Sequence, residues 1–126
     1  MKCFRDILEN TVDGISDKDW LKAMKDTEIE AEDMVVKDWA EFTPKVCNNG
    51  FCDIFADKIT KYLKGSKTWN TYTSDGGKTF GHVWIEYKGK YYDAEIPKGV
   101  KNIEDIPYIK RCIKANGEIP QDIEEL

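Results

Sequence analysis

The chain has one histidine in 126 residues. Any chemistry that needs imidazole must therefore use His82. Long apolar runs are absent too. Nothing approaches the roughly 18 apolar residues of a membrane span. Met1-Lys2-Cys3-Phe4-Arg5-Asp6-Ile7-Leu8-Glu9-Asn10 lacks the apolar stretch of a signal peptide. Four prolines and nine glycines are too few for a low-complexity or collagen-like chain. Lysines are scattered rather than blocked. With a net charge of −5 this argues against a phosphate-tracking surface, so neither nucleic acid nor membrane is an expected partner. Cys3, Cys47, Cys52 and Cys112 are irregularly spaced, which does not read as a disulfide framework. The expected compartment is the cytoplasm, where thiols stay reduced.

What is present fits one domain over residues 1–126, with 40% apolar and 34% charged residues. Ser16 followed by Asp19 marks a helix entry. Trp20, Leu21, Met24, Ile29, Met34, Val35 and Trp39 then predict one long or two shorter helices to about Ala40, with a possible break near Thr27. Pro44 ends that segment. Asn48-Asn49-Gly50 reads as a turn and N-cap. Cys52, Phe55, Ala56, Ile59, Tyr62 and Leu63 share one helical face up to Gly65. Lys67 to Thr73 reads as a strand and Asp75-Gly76-Gly77-Lys78 as a turn. Phe80–Tyr87 and Lys90–Ile96 form a hairpin about Lys88-Gly89. Ile103, Ile106, Tyr108, Ile109 and Ile113 fit a third strand, a short helix or both. The acidic tail is expected to fray. The order predicts an α+β fold with N-terminal helices packed on one face of a small antiparallel β-sheet.

The chemistry-bearing residues fall on these elements. Cys52 starts a helix, His82 lies on one hairpin strand and Asp93 on the other. A helix start favours a thiolate through its unpaired N–H groups, which can also stabilise an oxyanion. A histidine beside the thiol serves as its base and needs an acceptor on its other ring nitrogen. A two-residue turn at Lys88-Gly89 places Trp84 opposite Asp93 and His82 opposite Glu95, so all four share a face. Asp93 is then diagonal to His82, and Glu95 is a rival orienter. Asn48, Asn49 and the Trp39 indole are the side chains open to an oxyanion role.

Asn49-Gly50-Phe51-Cys52-Asp53-Ile54-Phe55-Ala56 resembles the Gly-x-Cys-x-x-Phe/Tyr-Ala nucleophile motif of the transglutaminase-like family. His82-Val83-Trp84-Ile85-Glu86-Tyr87, followed by Gly89, Tyr92 and Asp93, resembles its His-x-Trp-x-Glu-hairpin-aromatic-x-Asp motif. The likeness covers about residues 48 to 96. Ala94 stands where that family usually has proline. The resemblance implies a papain-like core with Cys52 as nucleophile, His82 as base and Asp93 as orienter. Trp84 would lie beside the histidine, and with Asn49 it completes the expected substrate-contacting set. The expected function is cysteine-dependent acyl transfer on a peptide or protein amide, with hydrolysis favoured over cross-linking and no cofactor. The alternatives are an inactive binding or inhibitory module of the same fold and, as a minority reading, a zinc-stabilised domain built on Cys47 and Cys52. The remaining cysteines read as packing thiols.

Overall fold

A computed structural model describes residues 14–72 and 80–126. Cys3 and the expected turn at Asp75-Gly76-Gly77-Lys78 lie outside the described residues. Helix α1, Asp17–Met34, begins where the sequence places it, with the Ser16 hydroxyl accepting from Asp19 N–H at 3.2 Å. It buries Ala23, Met24, Thr27 and Ala31. Leu21, Ile29, Met34 and Val35 are exposed. The expected apolar face is thus corrected. A narrow stripe of mostly small residues at i, i+4 and i+8 faces the core. Thr27 is no break: the helix runs through it, and its hydroxyl donates to the Ala23 carbonyl one turn back.

A short helix α2, Pro44–Asn48, follows, with Thr43 as its N-cap. Helix α3, Cys52–Ile59, passes into a 3-10 turn at Thr60–Tyr62. That turn has about three residues per revolution rather than 3.6. Leu63 therefore stays buried while Tyr62 rotates into solvent. Asn49 caps the C-terminus of α2. Phe51, with no side-chain cap, is the N-cap of α3 in place of the asparagines.

Strands β1, Lys67–Tyr72, β2, Phe80–Tyr87, and β3, Lys90–Tyr92, are antiparallel. Tyr87 pairs with Lys90 and Ile85 with Tyr92, as a two-residue turn requires. Lys88 and Gly89 both have positive φ, 50° and 78°, the signature of a hairpin turn twisted to match its strands. After a 3-10 turn at Ile103–Asp105, helix α4 spans Pro107–Asn116 and ends at Gly117 in the left-handed region. Strand β4, Glu124–Glu125, then pairs with β1, giving the order β3-β2-β1-β4. The acidic tail thus joins the sheet edge instead of fraying.

Among the described residues, four helices and a four-stranded sheet make an α+β fold, but helices cover both faces. Val83, Ile85 and Tyr92 join the core formed with α1 and α3. Trp84, on the other face of β2, packs with Ile106 and Ile109 from the α4 segment. The apolar residues after Ile103 were the ones open between strand and helix. As a helix they close the second face. Among the described residues, no helix is long and apolar enough to cross a membrane.

Candidate active site

His82 and Asp93 meet in the interior. His82 Nε2 lies 2.8 Å from Asp93 Oδ2, with the two side chains 0% and 1% exposed. The sequence explains how. Asp93 follows the last paired residue of β3 and lies diagonally from His82 on the α4 face. The other Asp93 oxygen accepts the Glu95 N–H at 2.8 Å. The indole of Trp20 donates to the Ala94 carbonyl at 3.2 Å, tying this turn to α1. The carboxylate is therefore held at both oxygens and through its backbone neighbour.

Cys52 is the first residue of α3 and 6% exposed. Burial pulls the His82 imidazole pKa down. The hydrogen bond that the ring donates to Asp93 and the charge and hydrogen-bonding influence of Cys52 outweigh burial, raising the imidazole from 6.5 to about 9. His82 Nδ1 is buried with no partner at hydrogen-bond geometry. Pairs of this type commonly tighten only around substrate. Tyr108 from α4 stacks on the imidazole with ring centroids 4.8 Å apart and planes 20° from parallel. Trp84 lies along it at 5.9 Å.

A cleft of about 910 Å³ opens at this point, lined by Asn48, Asn49, Gly50, Cys52, Tyr108 and Arg111 among others. It brings Cys52 and Asn49 to one surface. Trp84 is absent from that lining and fully buried, so the expected substrate contact is corrected. Trp84 is the wall behind His82. Glu95 does not reach the imidazole. Its Oε1 accepts from Asn48 Nδ2 at 2.9 Å and from Arg111 Nη2 at 3.1 Å. The Trp39 indole donates to Glu28 at 3.2 Å, which removes it as an oxyanion donor. Asn48 spends one of its two amide N–H donors on Glu95 and still lines the cleft. The uncapped first turn of α3, Asn48 and Asn49 remain.

Comparison with protein-family models, curated proteins and solved structures gives no match.

Cys47, Cys52 and Cys112 carry free thiols. Burial, followed by the charges of Cys52, Asp93, Asp53 and Glu95, pushes the Cys47 thiol far up, which leaves it a neutral packing group. Among the described residues no three histidine, cysteine, aspartate or glutamate side chains converge as metal ligands, so the zinc reading finds no ligand set there. Tyr108 and Arg111 are the site residues that sequence reasoning missed. Their one available signal was an amphipathic repeat, Ile106, Ile109 and Ile113, around a helix bounded by Pro107 and Gly117.

Proposed function

We propose that the protein is a cysteine-dependent acyl-transfer enzyme that hydrolyses an amide or isopeptide bond, on a papain-like, transglutaminase-like core. The buried 2.8 Å contact between His82 and Asp93 carries this reading, with Cys52 at the start of α3 supplying the thiol. The Cys52 thiolate attacks the carbonyl carbon. The oxyanion that forms is stabilised by the free N–H groups of the first turn of α3. His82 then protonates the departing amine, leaving a thioester. A water that gives its proton to His82 attacks the thioester and releases the acid and the thiol. Asp93 holds Nε2, which leaves Nδ1 as the ring nitrogen that exchanges the proton. A reducing compartment such as the cytoplasm suits a free nucleophilic thiol.

The test is alkylation by iodoacetamide near pH 6, mapped to individual cysteines by mass spectrometry. Cys52 should react roughly tenfold faster than Cys112. Cys52→Ala should abolish the fast phase and His82→Ala should slow it. The proposal is lost if Cys52 behaves as an ordinary thiol, reacting only as pH approaches about 8.5 and unaffected by His82→Ala.

A second reading, a catalytically inactive binding module, is favoured by the low exposure of Cys52. It predicts that ordinary-thiol result.

A further inference from the structure

Arg111 belongs to two cavities at once. It lines the cleft that holds Cys52, and it lines a second cavity of about 800 Å³ together with Lys101 and Lys110. The guanidinium is tethered. Its Nη2 donates to Glu95 Oε1 at 3.1 Å, and the Glu95 backbone N–H donates to Asp93 Oδ1 at 2.8 Å. The residue that positions Arg111 is thus two positions from the carboxylate that holds His82. Arg111 remains 49% exposed in its side chain, and one of its five N–H donors goes to Glu95.

The charge balance around it is unusual for this chain. The second cavity is lined by Lys101, Lys110 and Arg111 against one carboxylate, Asp105, and the Glu95 carboxylate pairs with Arg111 beside it, leaving a net positive charge. Asn102 Nδ2 donates to Asp105 at 3.4 Å. In the cleft itself Lys45 and Asp53 carry opposite charges. A chain with net charge −5 therefore shows a local cationic surface continuous with its candidate nucleophile. A planar, tethered guanidinium is suited to a carboxylate, and lysines behind it extend the attraction.

Resting on the acyl-transfer reading, we infer that Arg111, with Lys110 and Lys101, forms a subsite for a carboxylate on the substrate beside the bond that Cys52 attacks. The substrate class is then a peptide amide with an acidic side chain, or a free C-terminal carboxylate, flanking the scissile bond.

Binding can be measured without turnover on the full-length Cys52→Ala protein. The probes are BODIPY-labelled alanine-glutamine heptapeptides, followed by fluorescence anisotropy at low salt. One pair contains an internal glutamate or its glutamine isostere. A second, all-glutamine pair has a free or an amidated C-terminus. At least one carboxylate-bearing peptide should bind roughly tenfold tighter than its neutral counterpart, a gain that falls with added salt. The pair showing the gain identifies the source of the carboxylate. Arg111→Gln should erase the gain, Arg111→Lys should keep part of it and Lys110→Gln should reduce it. Circular dichroism melts confirm that each variant is folded. Equal binding within both pairs, no binding by any peptide, or a gain that survives Arg111→Gln would overturn the subsite. A carboxylate gain in a protein whose Cys52 reacts as an ordinary thiol would instead sink the acyl-transfer reading and leave a binding site.

Discussion

The single histidine makes the central claim directly measurable. In a nuclear magnetic resonance titration every imidazole signal belongs to His82, with any purification tag removed. The folded protein should keep this imidazole protonated well above 6.5, with a midpoint near 9. Burial works in the other direction, so the elevation is owed to Asp93 and Cys52. At about 1.4 kcal/mol per pH unit, the rise is about 3 kcal/mol of preference for imidazolium in the folded state. Asp93→Asn keeps the shape of the side chain and removes its charge, and should lower the midpoint by more than a unit. Cys52→Ala should lower it separately. The double variant should fall below 6.5, because only burial is left. A wild-type midpoint at or below 6.5 would refute the reasoning. A Cys52→Ala midpoint equal to wild type would refute the thiol–imidazole coupling on its own.

The same linkage sets a stability profile. The folded His82 pKa lies above its unfolded value, so the contribution is fully present below pH 6.5 and is lost as pH rises through about 9. Urea unfolding should therefore show stability falling by up to about 3 kcal/mol across that window. In Asp93→Asn the fall should be much smaller.

Three further outcomes follow from packing. Tyr108→Leu removes the ring stacked at 4.8 Å and should lower the His82 midpoint by about half a pH unit, whereas Tyr108→Phe should leave it unchanged; equal titration in both variants would remove any role for the ring. Gly99→Ala should destabilise by about 3 kcal/mol in urea unfolding, because φ is +78° and a Cβ there would sit 2.6 Å from the buried Tyr92 ring; a loss under about 0.5 kcal/mol would contradict the contact. Cys47 should stay unalkylated in native protein at pH 8 and react only on unfolding, read by mass mapping, since it is fully buried and its thiol is pushed far up by that burial.

How far the site could be read from residues depended on whether local rules decided each element. The hairpin was legible because Lys88-Gly89 has a defined turn chemistry and the alternation of β2 fixes which side chains share a face. That alone made Asp93 a diagonal neighbour of His82. It left Glu95 open, and the rivalry ended only with tertiary partners, Asn48 and Arg111, that occupy the Glu95 carboxylate. The face of α1 was misread for a different reason. Large apolar residues dominate a periodicity argument, yet close approach to α3 selects the small stripe of Ala23, Thr27 and Ala31 and turns Leu21 and Ile29 outward.

The same limit explains Tyr108 and Arg111. They reach the site because Trp84 projects to the second sheet face and Ile106 and Ile109 must cover it. Covering that face sets the rotation of α4. Tyr108 and Arg111 then fall toward the cleft, where Tyr108 meets His82 and Arg111 meets Glu95. The His82–Asp93 contact is thus a property of one hairpin, and the position of Cys52 a property of one helix start. The wall over His82 and the cation beside the cleft are properties of packing against the opposite face. A substitution that rotates α4, such as Ile109→Ala, should therefore disturb cleft chemistry as well as stability. Its expected signature is a cost of about 3 kcal/mol in unfolding together with a lowered His82 titration. An unchanged titration at that cost would separate the α4 core from the site and overturn this account of how Tyr108 is placed.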